Sequence, residues 1–189
     1  MMDLAPGILI AAPSMSDPRF ARSVVLLAEA GENGALGFVV NRTTEITYAQ
    51  IGQELGIDTA QRLGPRHALY GGPVSPQRGW VLFPQGDEAA TDIANVIDVG
   101  PSLAVCSAIE MLERFFTREQ ESRFRLLLGY AGWGPEQLEE ELSQGAWIPF
   151  DLDPDLILDT PHDEIWEKAL RKMGIDPGAF VLVGGGAKA

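Results

Sequence analysis

The chain begins with short apolar runs separated by glycine and proline. Residues 7–12 (Gly-Ile-Leu-Ile-Ala-Ala) are apolar throughout, the pattern of a buried strand. Pro13 and Pro18 punctuate a loop at 13–18. Residues 20–29, containing Ser-Val-Val-Leu-Leu-Ala, predict a second strand, and 35–41 (Ala-Leu-Gly-Phe-Val-Val-Asn) a third. Asn33-Gly34 between them is a preferred pair for a tight hairpin. The period then changes. Thr47 and Gln50 have capping-box spacing, Ile51 and Leu55 share a helical face, and Gly56 is placed to end the turn. A short helix is predicted at 47–55, followed by a polar connection at 58–66.

The next stretch organises the middle of the chain. Strands predicted at 67–70 and 79–83 flank a loop containing Gly71, Gly72, Pro73, Ser75, Pro76, Arg78 and Gly79. An acidic loop at 87–92 leads to an alternating segment at 93–98 and an apolar run at 103–106. Ser107 and Glu110 repeat the capping-box spacing, and Met111, Leu112, Phe115 and Phe116 supply an apolar stripe for a helix at 107–116. Leu126-Leu127-Leu128 marks a strand at 123–129. Gly134-Pro135 opens a helix carrying Leu138 and Leu142 among Glu136, Glu139, Glu140 and Glu141, with Gly145 as its stop. Pro149 makes 146–150 an edge strand. An acidic turn at 151–155 precedes a last helix that starts at 160–163 and ends at Gly174, and a final apolar run lies at 180–183. Strands and helices mix without strict alternation, which points to an α+β fold. We expect one domain over 1–183 and a flexible glycine-rich tail at 184–189.

Charge narrows the function classes. The 189 residues carry a net charge of −13, which disfavours direct contact with a phosphate backbone. The densest basic stretch, Arg114, Arg118, Arg123 and Arg125, is interleaved with Glu113, Glu119 and Glu121 and reads as a solvated helix end. Cys106 is the only cysteine, so no internal disulfide forms, in keeping with a reducing cytoplasm. Neither a signal peptide nor an apolar run near the roughly 18–20 residues of a membrane span is present, so a soluble cytoplasmic protein is expected. No cofactor is expected.

Few residues announce chemistry. His67 and His162 are the only histidines, and each reads as a surface or structural residue. His67 with Ser75 offers a nucleophile and a base, without a nucleophile-elbow motif. Asp151, Asp153 and Asp155 alternate like a calcium loop, but lack its glycine and terminal glutamate and read as a solvated turn. Cys106 reads as a buried, inert thiol. Asn41, Arg42 and Arg78 stand at strand ends beside glycine-rich turns. There a guanidinium near free N–H groups can hold a carboxylate or phosphate, or else lock the turns together. Tyr130 and Trp133 either line a pocket beside Gly132 or fill the core at a strand-to-helix corner.

Four of these stretches, in order, resemble the YqgE/AlgH family of bacterial proteins. They are Gly-Ile-Leu-Ile-Ala-Ala-Pro-Ser-Met at 7–15 with Asp17, Phe20 and Ser-Val-Val at 23–25; Gly-Ala-Leu-Gly-Phe-Val-Val-Asn-Arg at 34–42; Tyr-Gly-Gly-Pro-Val at 70–74 with Arg-Gly-Trp-Val-Leu at 78–82; and Gly-Tyr-Ala-Gly-Trp at 129–133 with Gln-Leu-Glu-Glu-Glu at 137–141, then Trp147. The resemblance implies a curved mixed β-sheet with flanking helices. It also brings a label of transcriptional regulator, tied in one lineage to control of alginate synthesis, and no particular reaction. The chain departs from the family at Ala28-Glu29-Ala30, where members often carry Cys-Glu-His, so thiol or imidazole chemistry has no basis at that strand end. Thr43 stands where proline commonly follows Asn-Arg. With no helix-turn-helix or zinc-finger pattern, any effect on transcription is expected to pass through another protein. The sequence therefore leads to a non-enzymatic binding or regulatory protein. Its expected binding surface is Asn41, Arg42, Gly71, Gly72, Arg78, Tyr130 and Trp133, for a small anionic ligand or a protein partner. The alternative is a hydrolase of a small anionic substrate using His67 and Ser75. No membrane contact is expected, and the oligomeric state stays open.

Overall fold

The computed structural model describes residues 4–57, 63, 65–107, 109–118 and 123–178. In chain order its elements are β1 (Gly7–Ala11), β2 (Val24–Gly31), β3 (Gly34–Val39), β4 (Thr43–Thr47), α1 (Tyr48–Glu54), β5 (His67–Tyr70), β6 (Val74–Pro84), β7 (Ile97–Val99), β8 (Leu103–Cys106), α2 (Ile109–Thr117), β9 (Arg125–Trp133), α3 (Gln137–Ser143), β10 (Trp147–Phe150), α4 (Pro154–Leu158) and α5 (Ile165–Lys172). The strands make one strongly curled sheet in the order β10-β1-β2-β3-β9-β6-β8-β7, with β4 and β5 branching from β9. All pairings are antiparallel except β5 with β9, so the sheet is mixed and the fold is α+β, as expected.

β9 joins the two halves. Its residues 125–128 pair with β6, and 127 and 128 also with β5, whereas 131–133 pair with β3. Between these segments Gly129 takes φ +75°, which turns the strand from one neighbour to the next. The chain after β5 crosses β9 at this corner. A Cβ on Gly71 would lie 2.3 Å from the Gly129 carbonyl oxygen, and one on Gly72 would lie 2.1 Å from the Tyr130 carbonyl carbon. Backbones approach this closely only where side chains are absent.

Three apolar clusters follow from the sheet's faces. The central one packs Ile8, Leu26, Phe38, Trp80 and Leu127 against Ile157, Ile165 and Leu170 of α4 and α5. A second lies under α1 and α2, and a third holds Trp133 and Trp147 with Leu138 of α3. β1 contributes to the first and third, so both its faces are covered, which is why its sequence is apolar without alternation.

Several expectations are corrected. The hairpin turn lies at 31–34, where the sequence places it, but its two central residues are Glu32 and Asn33, since Gly31 pairs with Gly34, and not Asn33-Gly34. β6 begins at Val74, so most of the expected 71–79 loop is strand, carrying a register shift between Val74 and Gly79. Residues 130–133 continue β9 and form no strand-to-helix corner. The expected helix starts at Gly134-Pro135 and at 160–163 fall later, at Gln137 and Ile165. The acidic turn at 151–155 contains the start of α4: Asp153 caps it through Leu156 N–H at 2.9 Å. β4 also has no counterpart in the pattern reading. The 180–183 run and the 184–189 tail lie outside the described residues. Among the described residues, no helix is long and apolar enough to cross a membrane.

Candidate functional site

Both histidines and three arginines meet at one cleft of about 580 Å³. β4 and α1 border it through Thr43 and Tyr48, and β5 through His67 and Leu69, with Pro65 and Arg66 just ahead. Arg123, Phe124 and Arg125 enter from the start of β9. The opposite wall is the end of α4 and the turn after it, with Asp159, Thr160 and His162. The basic stretch read as solvated is thus split. Arg114 and Arg118 bind the 87–91 segment, whereas Arg123 and Arg125 face the cleft.

Each cation here is held differently. Arg125 is half-buried and donates to the carbonyls of Ile157 (3.2 Å), Leu158 (3.2 Å) and Thr160 (2.5 Å). Those are carbonyls at and beyond the end of α4, where cations are favoured. Burial pushes its guanidinium below the ordinary range, and the neighbouring Arg66 charge acts in the same direction. Arg123 is exposed and pairs with Asp155 (2.8 Å) and Asp159 (2.5 Å), whose hydrogen bonds hold it above the ordinary range. The Arg66 side chain has no hydrogen bond or ion pair among the described residues. His67 Nδ1 lies 3.0 Å from the Thr44 carbonyl, which makes Nδ1 the donor and leaves Nε2 as the other ring nitrogen. The cleft thus concentrates positive charge that its own backbone and two aspartates only partly offset. Among the described residues, no group of three or more His, Cys, Asp or Glu is placed to hold a metal.

None of the seven residues singled out around the glycine loops lines this cleft. Asn41 accepts from Val24 N–H at 2.7 Å and donates to the Arg22 carbonyl at 2.9 Å, tying the start of β2 to the end of β3. The Arg42 guanidinium holds the carbonyls of Pro18 and Arg19. Gly71 donates to Leu128 and accepts from Val39 N–H, and Gly72 follows it at the backbone crossing. Arg78 donates to Ser107 Oγ at 2.8 Å and covers the Trp80 ring at 4.5 Å. Tyr130 meets that ring edge-on, and Trp133 is buried in the third cluster. Ser75, in β6, is not among the residues lining the cleft that holds His67. Cys106 is fully buried, with Sγ 3.8 Å from the Ala94 carbonyl. One sequence signal for the cleft exists: Arg123 and Arg125 are two apart in extended chain and so share a face.

The AlgH-like family model matches residues 8–178. A UPF0301 protein of Anaeromyxobacter sp. strain Fw109-5 is 45% identical over 192 residues, spanning 98% of this chain and 96% of its own. One from Myxococcus xanthus is 38% identical over 185 residues, covering 96% and 97%. The solution structure of AlgH from Pseudomonas aeruginosa superposes with a TM-score of 0.76 at 32% identity, over 98% of this chain and 95% of that one. The crystal structure of DIP2367 from Corynebacterium diphtheriae shares the fold with a TM-score of 0.72 at 24% identity, over 93% and 91%. The family model, the near full-length relatives and the shared fold agree: this chain belongs to the AlgH-like UPF0301 family.

Proposed function

We propose that this is a cytoplasmic binding protein whose ligand is a small multivalent anion, taken up in the cleft between β5, the start of β9 and the end of α4. One observation carries the reading: three arginines and both histidines border a single cleft in a chain of net charge −13. The Arg66 guanidinium, which has no side-chain partner among the described residues, beside a half-buried one favours a carboxylate or phosphate group between them. The hydrolase alternative needs a nucleophile beside His67, whereas Nδ1 of that ring is hydrogen-bonded to the Thr44 carbonyl. Any influence on transcription is proposed to run through a protein partner.

Thermal shift with inorganic phosphate, pyrophosphate and citrate tests the reading on wild type, Arg66→Glu and Arg78→Ala. Arg66 has no side-chain partner among the described residues, so its replacement should leave the unliganded Tm near that of wild type. An anion at a hundred times its Kd adds about 2.7 kcal/mol to stability. We expect that gain in wild type and Arg78→Ala, and its loss in Arg66→Glu. A gain that survives in Arg66→Glu, or no gain with any anion, rejects the cleft as the site.

A further inference from the structure

We propose that a second opening, the groove between α1 and α2, seats a basic amphipathic helix of a partner protein. The groove encloses about 720 Å³ and is distinct from the anion cleft. Its floor is the sheet face, with Val81 of β6 and Leu126 and Leu128 of β9. Its walls are helical, with Ile51 and Leu55 on α1 and Leu112 on α2. Among the described residues, three large apolar side chains are exposed, and two of them, Ile46 at 43% and Ile109 at 61%, border this groove. Apolar floor, apolar walls and an exposed apolar rim are what an incoming helix covers with positions i, i+3, i+4 and i+7.

The sheet decides the occupant's secondary structure. Residues 127 and 128 pair with both β5 and β6, and the Leu126 N–H that faces away from β6 is taken by Tyr48 Oη, so the floor offers no free strand edge. On that floor an extended peptide would find no ladder to join, so recognition there must come from side chains, with Glu45 and Ile46 of β4, which pairs with β5 alone, at the rim. Charge decides the flanks. Among the described residues, the charged ones lining the groove are Glu45 and Glu54, its other polar residues are Gln50, Gln53, Gln77 and Ser107, and one cation, Arg78, stands at its edge bonded to Ser107 Oγ. Glu113 stands one turn beyond Ile109 on α2. A second copy of this chain, with net charge −13, would bring like charge to an acidic rim, whereas lysines flanking an apolar stripe complement it.

Fluorescence anisotropy with the full chain tests the groove. The probe is a labelled peptide of about 18 residues with leucines at helical spacing and lysines beside them. Its controls are the same composition with the spacing scrambled, and the same spacing with glutamates for lysines. The protein variants are Ile46→Asp and Ile109→Asp, both at exposed positions, with Tm checking the fold. We expect saturable binding of the periodic basic peptide, weakened about tenfold or more by either variant and in either control. Equal binding of the scrambled peptide would reduce the effect to charge and overturn the proposal. So would binding that the variants leave unchanged, or no saturable binding of the periodic peptide. Sedimentation velocity covers the remaining occupant: a wild-type dimer that Ile109→Asp dissociates would mean a second copy fills the groove, and overturns the partner helix. Arg66→Glu should leave peptide binding intact, so failure here is separable from failure of the anion cleft.

Discussion

Glu141 Oε2 accepts from two indoles, Trp133 Nε1 at 3.0 Å and Trp147 Nε1 at 2.7 Å, while its Oε1 accepts from Gln137 at 2.9 Å. One carboxylate thus satisfies two donors of a largely buried aromatic cluster. In the sequence it is the last of three consecutive glutamates on a helix, and nothing in that run separates it from its solvated neighbours. Asp153 is a similar case. It caps α4 and holds Lys172 of α5, so it ties together two helices of the central core. Burial opposes its charge, but the Lys172 hydrogen bond, the Leu156 N–H and the nearby lysine charges outweigh it, and its pKa falls below the usual 3.8. A carboxyl whose folded pKa is depressed stabilises the fold above its unfolded pKa, and that gain is lost as pH falls through the folded value. Asp153→Asn keeps a good cap and removes the charge. Urea unfolding should show wild type ahead at about pH 6, with the gap closing as pH drops below about 4. A gap unchanged at low pH would mean that the charge on Asp153 contributes nothing.

At the scale of elements, the two glycine motifs are two sides of one crossing. Gly129→Ala would force a side chain into φ +75° with its Cβ 2.5 Å from the Gly72 carbonyl oxygen. Strain of about 1–3 kcal/mol adds to a backbone clash that cannot relax without moving β5 or β9. Gly86→Ala is the control, at φ +77° in open space, where only the conformational cost of about 1–2 kcal/mol applies. Urea midpoints should rank wild type, then Gly86→Ala, then Gly129→Ala well below. Equal losses would show that the crossing tolerates a methyl group. The same glycines explain what the pattern hides. Gly129 and Gly132 look like turn residues, yet both lie inside β9, and at Gly129 a strand that changes partners needs room and an unusual φ. Pro154 looks like an interruption of an acidic turn, yet after a capping aspartate it is a helix start. β4 is Thr-Thr-Glu-Ile-Thr, too exposed to show a face, and exists through its pairing with β5. β1, α1, β5, β8 and β10 were legible because each carries its own signal: an unbroken apolar run, a capping box that closes as spelled, or an edge proline.

For the molecule as a whole, the glycine and proline motifs that mark the family mark its construction, whereas the cleft is assembled from residues far apart in sequence. Arg66, Arg125 and His162 come together only because β5 runs parallel to β9 and α4 folds back over its start. No local pattern carries that information. The same topology sets the cleft beside the groove with one partition between them. Tyr48, the first residue of α1, lines the cleft, and Ile51 and Leu55 of that helix line the groove. Arg125 faces the cleft, and the next residue, Leu126, faces the groove. A buried bond spans the partition, from Leu126 N–H to Tyr48 Oη at 2.9 Å. Burial raises the Tyr48 pKa, so the hydroxyl stays neutral and keeps accepting. Tyr48→Phe leaves that amide unpaired and should cost about 1–3 kcal/mol, read from urea unfolding. If the partition transmits strain, pyrophosphate changes the affinity of the basic peptide by some factor, and the peptide must change pyrophosphate affinity by the same factor. Titrating each in the presence of the other measures it. In Tyr48→Phe the factor should move toward one, because the helix is no longer tied to the strand that serves both openings. Coupling that persists unchanged in Tyr48→Phe would place the link in the sheet itself, along residues 125–128.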